Sequence, residues 1–154
     1  RIALSQWMKV TQVLDFFCDF YKDFDRAAAE AMLAQLQIAP NQVLKQMSKG
    51  TKEKVQLILA MSRKAKLYLL DEPIGGVDPA TRDYILHTIL TNYNPEAAVI
   101  ISTHLIGDVE QVLDEVVFLS RGQIALHDSC EAIREQQGKS VDQLFREVFK
   151  CWEN

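Results

Sequence analysis

Two short aliphatic runs govern what this chain can become. Leu67-Tyr68-Leu69-Leu70 and Ala98-Val99-Ile100-Ile101 stand between polar breaks and are too short for buried helices. Such runs read as strands buried within a parallel sheet. Between them, Asp78-Pro79 supplies an N-cap followed by proline at the first helical position, opening a helix to about Asn92. A further helix, over about 105–113, follows the second run. Strand, helix, strand, helix predicts a parallel sheet with covering helices. Ligands in such sheets bind beyond the carboxyl ends of the strands. The first run stops at Asp71-Glu72 and the second at Ser102-Thr103-His104. This convergence of chemistry on strand ends is the clearest functional clue in the residues themselves.

The flanking segments are mostly helical. Thr11 is placed to cap a helix whose Val13, Leu14, Phe16, Phe17, Phe20 and Tyr21 recur at helical spacing. Asp25 can cap the next, with Ala28, Met32 and Leu36 along one face. An aromatic stripe of this kind is core or subunit-contact surface. Pro40-Asn41 marks a loop. Ser48 precedes a helix over 51–64 with Val55, Ile58, Leu59 and Met61 as its buried side. Beyond the second strand, Val116–Leu119 and Ile124–Leu126 flank Arg121-Gly122 and predict a hairpin. Two amphipathic helices, near 129–137 and 140–151, close the chain.

Charge narrows the function classes. The 154 residues carry a net charge of −4, which disfavours sequence-independent nucleic-acid binding through Lys/Arg–phosphate contacts. Residues 1–66 hold 11 basic and 6 acidic residues, whereas residues 67–154 hold 6 basic and 15 acidic. Lys45, Lys49, Lys52, Lys54, Arg63, Lys64 and Lys66 concentrate the basic excess, as a solvated face or as a site for a phosphate-bearing ligand. No aliphatic run is long enough to cross a bilayer, and no signal-peptide core follows Arg1. Cys18, Cys130 and Cys151 are widely spaced and read as free thiols of a reducing compartment.

At a strand end the chain turns, so Asp71 and Glu72 can serve one substrate differently. A carboxylate there suits Mg²⁺ beside substrate phosphates, and the next can orient or deprotonate a water. Two acids capping a loop explain the pair equally well. His104 can polarise a phosphate oxygen or hold water, although a histidine opening a helix is commonly structural. Ser48-Lys49-Gly50-Thr51 combines a helix start, a hydroxyl, a lysine and a glycine that admits close approach, all features of an anion site. A plain capped helix start accounts for the same four residues. Asp78 needs no role beyond its cap. A phosphate loop, G-x-x-x-x-G-K-[ST], is absent from these 154 residues. Gly138-Lys139-Ser140 matches its last letters, but Ile133 stands where the first glycine belongs, so this segment is a link between helices.

In this order the elements resemble the nucleotide-binding domain of ATP-binding cassette (ABC) transporters. Met47-Ser48-Lys49-Gly50-Thr51 resembles the signature loop, Leu67 to Glu72 the Walker B strand with its catalytic glutamate, Gly75 to Pro79 the D-loop, and Ser102-Thr103-His104 the switch-histidine loop. The run from Leu105 to Gly122, with Asp108, Glu110 and Asp114, also follows the family pattern. The match extends from about Val10 over the later part of the family domain, so Walker A and the glutamine loop are expected upstream of Arg1. Met47, Lys49 and Thr51 stand where the family usually has leucine, glycine and glutamine. The short form and Lys49 look most like the smaller bacterial exporter-type cassettes.

The resemblance implies a partial α/β P-loop ATPase sandwich: a helical signature subdomain at 1–65, the Walker B, D-loop and switch-histidine part of the core at 66–128, and C-terminal helices at 129–154. It implies that Asp71 holds Mg²⁺ through water, Glu72 acts on the attacking water, and His104 contacts the γ-phosphate. Ser48, Lys49, Gly50 and Thr51 would meet ATP held by an opposite subunit, and Asp78 would link the two sites of a dimer. The expected partners are a transmembrane permease and a second nucleotide-binding domain, not nucleic acid. The expected location is the cytoplasmic face of the cell membrane. The full-length chain would hydrolyse Mg·ATP to power transport, while this piece would hold no ATP or Mg²⁺ and turn nothing over. The alternative is a naturally short, non-catalytic dimerisation module derived from such a cassette. A chromosome or ribosome ATPase of the same superfamily is disfavoured by the acidic balance and by the lack of heptad arms.

Overall fold

The computed structural model describes residues 5–150. The chain divides into two compact units, one ending at Thr103 and one beginning at His104.

The first unit opens with α1 (Val10–Phe20) and α2 (Arg26–Gln35), followed by α3 (Lys49–Met61). Helix α1 starts one residue before the expected cap Thr11, because the Lys9 N–H is already satisfied by Gln12 Oε1 at 2.8 Å. Its aromatic stripe splits by face. Val13, Leu14 and Phe17 turn inward and pack with Ala29, Met32 and Leu33 of α2 and Val55, Ile58 and Leu59 of α3. Phe16 and Phe20 stack on one another at 4.4 Å on the outer face, with Phe20 69% exposed. Asp25 caps α2 as expected, accepting the Ala28 N–H at 3.0 Å. Helix α3 begins directly after Ser48 and buries all four residues expected of it. Arg63 fastens the return of the chain, bidentate to Asp23 and lying over the Tyr21 ring at 4.0 Å.

Strand β1 (Leu67–Asp71) runs parallel to β2 (Ala98–Ser102), and α4 (Pro79–Asn92) connects them. The register pairs Leu67 with Ala98 and continues to Asp71 with Ser102. Full burial of both strands is corrected by the structure. Tyr68 is buried, its hydroxyl donating to the Arg63 carbonyl. On the opposite face Leu69 is 69% and Ile100 55% exposed. Side chains alternate across a strand, so only one face of this two-stranded sheet is covered among the described residues.

The second unit holds α5 (Ile106–Val109), β3 (Glu115–Ser120), β4 (Gln123–Ser129), α6 (Cys130–Gln137) and α7 (Val141–Lys150). Helix α5 spans less than the expected 105–113. The chain leaves the helix after Val109, through the turn that carries the Val112 N–H to the Val109 carbonyl. Strands β3 and β4 form the expected antiparallel hairpin. Arg121 and Gly122 take φ of 49° and 77°, the left-handed pair that two-residue hairpin turns require. Gly138, at φ 62°, ends α6, and Lys139 pairs with Glu147, so this segment is the helix link expected of it. Phe118 and Phe145 meet edge to face at 5.3 Å within a core that includes Ile106, Ile133 and Leu144. Cys130 lies in the same core, where burial pushes its thiol up and keeps it protonated. Cys18 is exposed, and Cys151 lies outside the described residues.

Candidate functional site

The end of β1 places two carboxylates in different directions. Asp71 is the last strand residue, and its Oδ1 accepts the Ser102 hydroxyl at 2.6 Å from the paired position on β2. Glu72 leaves the strand at once, with φ of 45°. Its N–H still donates to the Ser102 carbonyl at 2.8 Å. Its Oε2 accepts the Thr103 hydroxyl at 3.2 Å. A positive φ on a glutamate is sparsely populated and persists only where surrounding contacts impose it. Here the Gly75 N–H donates to the Glu72 carbonyl at 3.2 Å, and Ile74 is wholly buried. A Cβ at Gly75 would stand 3.4 Å from both the Glu72 carbonyl and Oε2, so the turn runs in van der Waals range of the carboxylate.

The same turn leads to α4. Asp78 caps this helix, its Oδ1 accepting the Thr81 N–H at 3.0 Å and its Oδ2 the Thr81 hydroxyl at 2.7 Å. Ser48 caps α3 likewise, accepting the Thr51 N–H at 3.1 Å. The two helix starts meet at Gly50, where a Cβ would stand 3.5 Å from Thr81 Oγ1 and 3.8 Å from Asp78 Oδ2. Lys49 reaches back over Gly76, whose φ is 68°, and its Nζ lies 2.5 Å from where a Cβ would stand there. The fold thus gathers Ser48, Lys49, Gly50, Thr51 and Asp78 on two adjacent helix N-termini. The turn at 72–78 joins them in sequence to Asp71 and Glu72. Helix N-termini favour anions. His104 follows Thr103 directly and opens the second unit.

Hydrogen bonds from the Thr81 hydroxyl and N–H, aided by the charge of Lys54, hold the Asp78 carboxyl below its ordinary value of 3.8. A carboxylate depressed in the folded state stabilises the fold above its unfolded pKa, and that contribution is lost as pH falls through the folded value. Asp78→Ala is therefore expected to lower the melting temperature at pH 7 and to lose less on further acidification below about pH 4 than the parent chain does. Coincident melting temperatures for the two proteins from pH 7 to pH 2 would show that Asp78 contributes nothing, and a constant offset would show that its contribution does not depend on its charge.

Laying the two strands in register exposes partners that reading each motif alone missed. Ser102 and Thr103 stand opposite Asp71 and Glu72 at one constant offset. The signal was present, since Leu-Tyr-Leu-Leu-Asp-Glu and Ala-Val-Ile-Ile-Ser-Thr are runs of equal length. Thr81 and Gly75 were missed because their roles depend on a turn that spacing does not specify.

Comparisons with known proteins agree with this geometry. Residues 9–107 match the family model described as "AAA domain, putative AbiEii toxin, Type IV TA system". The uncharacterized ABC transporter ATP-binding protein YxlF of Bacillus subtilis (strain 168) is 33% identical over 106 residues, covering 68% of this chain and 36% of that protein. The ABC-type transporter ATP-binding protein EcsA of the same organism is 31% identical, covering 67% of this chain and 43% of that protein. Among solved structures, one titled "Structure of ATP binding subunit of ABC transporter" superposes with a TM-score of 0.79 at 26% identity, covering 96% of this chain and 65% of the other. The chain thus spans about two fifths of the length of the curated relatives it matches. With the sheet order, the paired strand-end acids and these matches together, the chain belongs to the AAA-domain family that its model describes and to the nucleotide-binding domains of ATP-binding cassette proteins, of which it spans a part.

Proposed function

We propose that the full-length protein carrying this chain is the ATP-binding subunit of a transporter and hydrolyses Mg·ATP to drive a membrane partner. The observation that carries this reading is the pair of carboxylates at the end of β1, Asp71 and Glu72, in the turn that leads to the capped starts of α3 and α4. Asp71 is an exposed carboxylate beside a hydroxyl, a donor set that fits Mg²⁺, which takes one or two carboxylates and completes its shell with water and phosphate oxygens. Among the described residues no group of three His, Cys, Asp or Glu side chains gathers to hold an ion, so Asp71 would hold Mg²⁺ together with the substrate. When bound, that ion would neutralise charge on the phosphates. Glu72 receives the proton of the attacking water. His104, next after Thr103, contacts the γ-phosphate. Ser48, Lys49, Gly50 and Thr51 offer hydroxyls, an ammonium and helix N–H groups to ATP held by a second nucleotide-binding domain, with Asp78 linking the two sites. The stacked outer pair Phe16 and Phe20 offers apolar surface to the membrane subunit. Among the described residues no helix is long and apolar enough to cross a membrane. The membrane-spanning part would be a separate permease, with this protein at its cytoplasmic face.

These 154 residues contain no phosphate loop. The purified chain is therefore expected neither to bind Mg·ATP at micromolar concentration nor to release phosphate from it. Calorimetric titration with Mg·ATP checks this, and stoichiometric micromolar binding would overturn it. Hydrolysis by the full-length protein, dependent on Mg²⁺, tests the reading as a whole.

A further inference from the structure

We infer that Thr103 is the positioning residue for Glu72, fixing the direction of its carboxylate through the register of the two strands. The inference rests on the reading of Glu72 as the group that receives the proton.

The register carries the argument. From Leu67 with Ala98 to Asp71 with Ser102, every pair of β1 and β2 has the same sequence offset. The two hydroxyl–carboxylate bonds keep that offset, with 31 residues between Asp71 and Ser102 and 31 between Glu72 and Thr103. Glu72 and Thr103 are thus one step past the last ladder pair, tied there by the Glu72 N–H on the Ser102 carbonyl at 2.8 Å. Asp71, the last residue of β1, and Glu72, the residue after it, each meet a hydroxyl at the same sequence offset, from Ser102 at the end of β2 and from Thr103 just past it.

Such a partner matters more for Glu72 than for Asp71. Asp71 is still within the strand, and its short side chain inherits the strand's direction. Glu72 has left the strand at φ 45° and carries one more rotatable bond. Its half-buried carboxylate needs a fixed donor if its oxygens are to point one way. Thr103 suits this task because a β-branched side chain is stiff at χ1, so the backbone of the strand end sets where its hydroxyl points. On the backbone side, the Gly75 N–H donates to the Glu72 carbonyl at 3.2 Å and fixes the turn from which the side chain leaves. Pre-positioning a proton acceptor affects the rate of the chemical step and leaves nucleotide affinity alone.

The test uses the full-length protein in four forms: parent, Thr103→Val, Thr103→Ser and Glu72→Gln. Valine keeps the shape of threonine and removes the hydroxyl. Thr103→Val is expected to lower kcat roughly tenfold to a hundredfold, with KM and the affinity for a fluorescent Mg·ATP analogue within about twofold of the parent. Thr103→Ser restores the hydroxyl without the β-branch and is expected to recover part of kcat, to a value between those of Thr103→Val and the parent. A Thr103→Val enzyme with parental kcat beside an inactive Glu72→Gln enzyme would overturn the inference and leave the functional reading standing. A Thr103→Ser enzyme as slow as Thr103→Val, with nucleotide affinity lost in both, would also overturn it, because packing and not the hydroxyl would then be at work. A fully active Glu72→Gln enzyme would show that another group receives the proton and would remove the role of Glu72 and the inference together, leaving ATP hydrolysis itself standing.

Discussion

Glu72→Gln in the full-length protein is expected to slow ATP turnover roughly 10²- to 10⁴-fold, the range that a positioned proton acceptor contributes. The amide occupies the same volume and its oxygen still accepts from Thr103 Oγ1, now 3.2 Å from the carboxylate. The turn at 72–78 is thereby preserved, and the φ of 45° at residue 72 is unaffected by a change beyond Cγ. What is lost is the capacity to take a proton. Nucleotide affinity should change by no more than about twofold, since an interaction made only in the transition state lowers kcat and kcat/KM together. Steady-state phosphate release and an equilibrium nucleotide titration separate the two quantities. Turnover at the parental rate would show that another group receives the proton.

Phe17→Ala carries the largest expected cost to the fold itself. Phe17 is 1% exposed and sits where α1 meets the core of the first unit. Its ring lies 5.2 Å from Tyr21 and 5.3 Å from Phe24. Truncation forfeits burial and aromatic contacts and leaves a cavity, which together cost about 3–5 kcal/mol for a buried phenylalanine. A domain of ordinary stability has only about 5–15 kcal/mol in all, so the variant should lose much of its resistance to denaturant. Phe20→Ala is the matched control. That ring is 69% exposed and stacks on Phe16 alone in its outer pair, so its removal should change stability by no more than about 1.5 kcal/mol. Urea titrations of the three proteins check both values. A loss at Phe17 no greater than that at Phe20 would mean that the helical core is not packed as described.

Which parts of this arrangement are legible from residues alone follows from the range of the forces that set them. Caps are local, so Asp25, Ser48 and Asp78 announce their helices, and each accepts the N–H three residues on. The faces of α3 follow from its 3.6-residue period, and Val55, Ile58, Leu59 and Met61 are buried as that period requires. The exposure of Leu69 and Ile100 depends on what lies across the sheet, and an aliphatic run carries no record of that. Helix α5 is short because the turn that carries the Val112 N–H to the Val109 carbonyl ends it, against a hydrophobic pattern that would suit a longer helix. At the candidate site, Asp71 and Glu72 are visible as acids ending a strand. Their hydroxyl partners become visible only when β1 and β2 are aligned in parallel register. The seat of Lys49 over Gly76 depends on two helix starts packing side by side, a tertiary event with no local signature.

The reading of the chain as one part of a Mg·ATP-hydrolysing cassette is tested most directly by the intact mass and N-terminal sequence of the protein as its native source makes it. The expected result is a product longer than these 154 residues, with G-x-x-x-x-G-K-[ST] after a strand and before a helix, upstream of Arg1. A native product that begins at Arg1 would have no phosphate loop in the same chain and would contradict it.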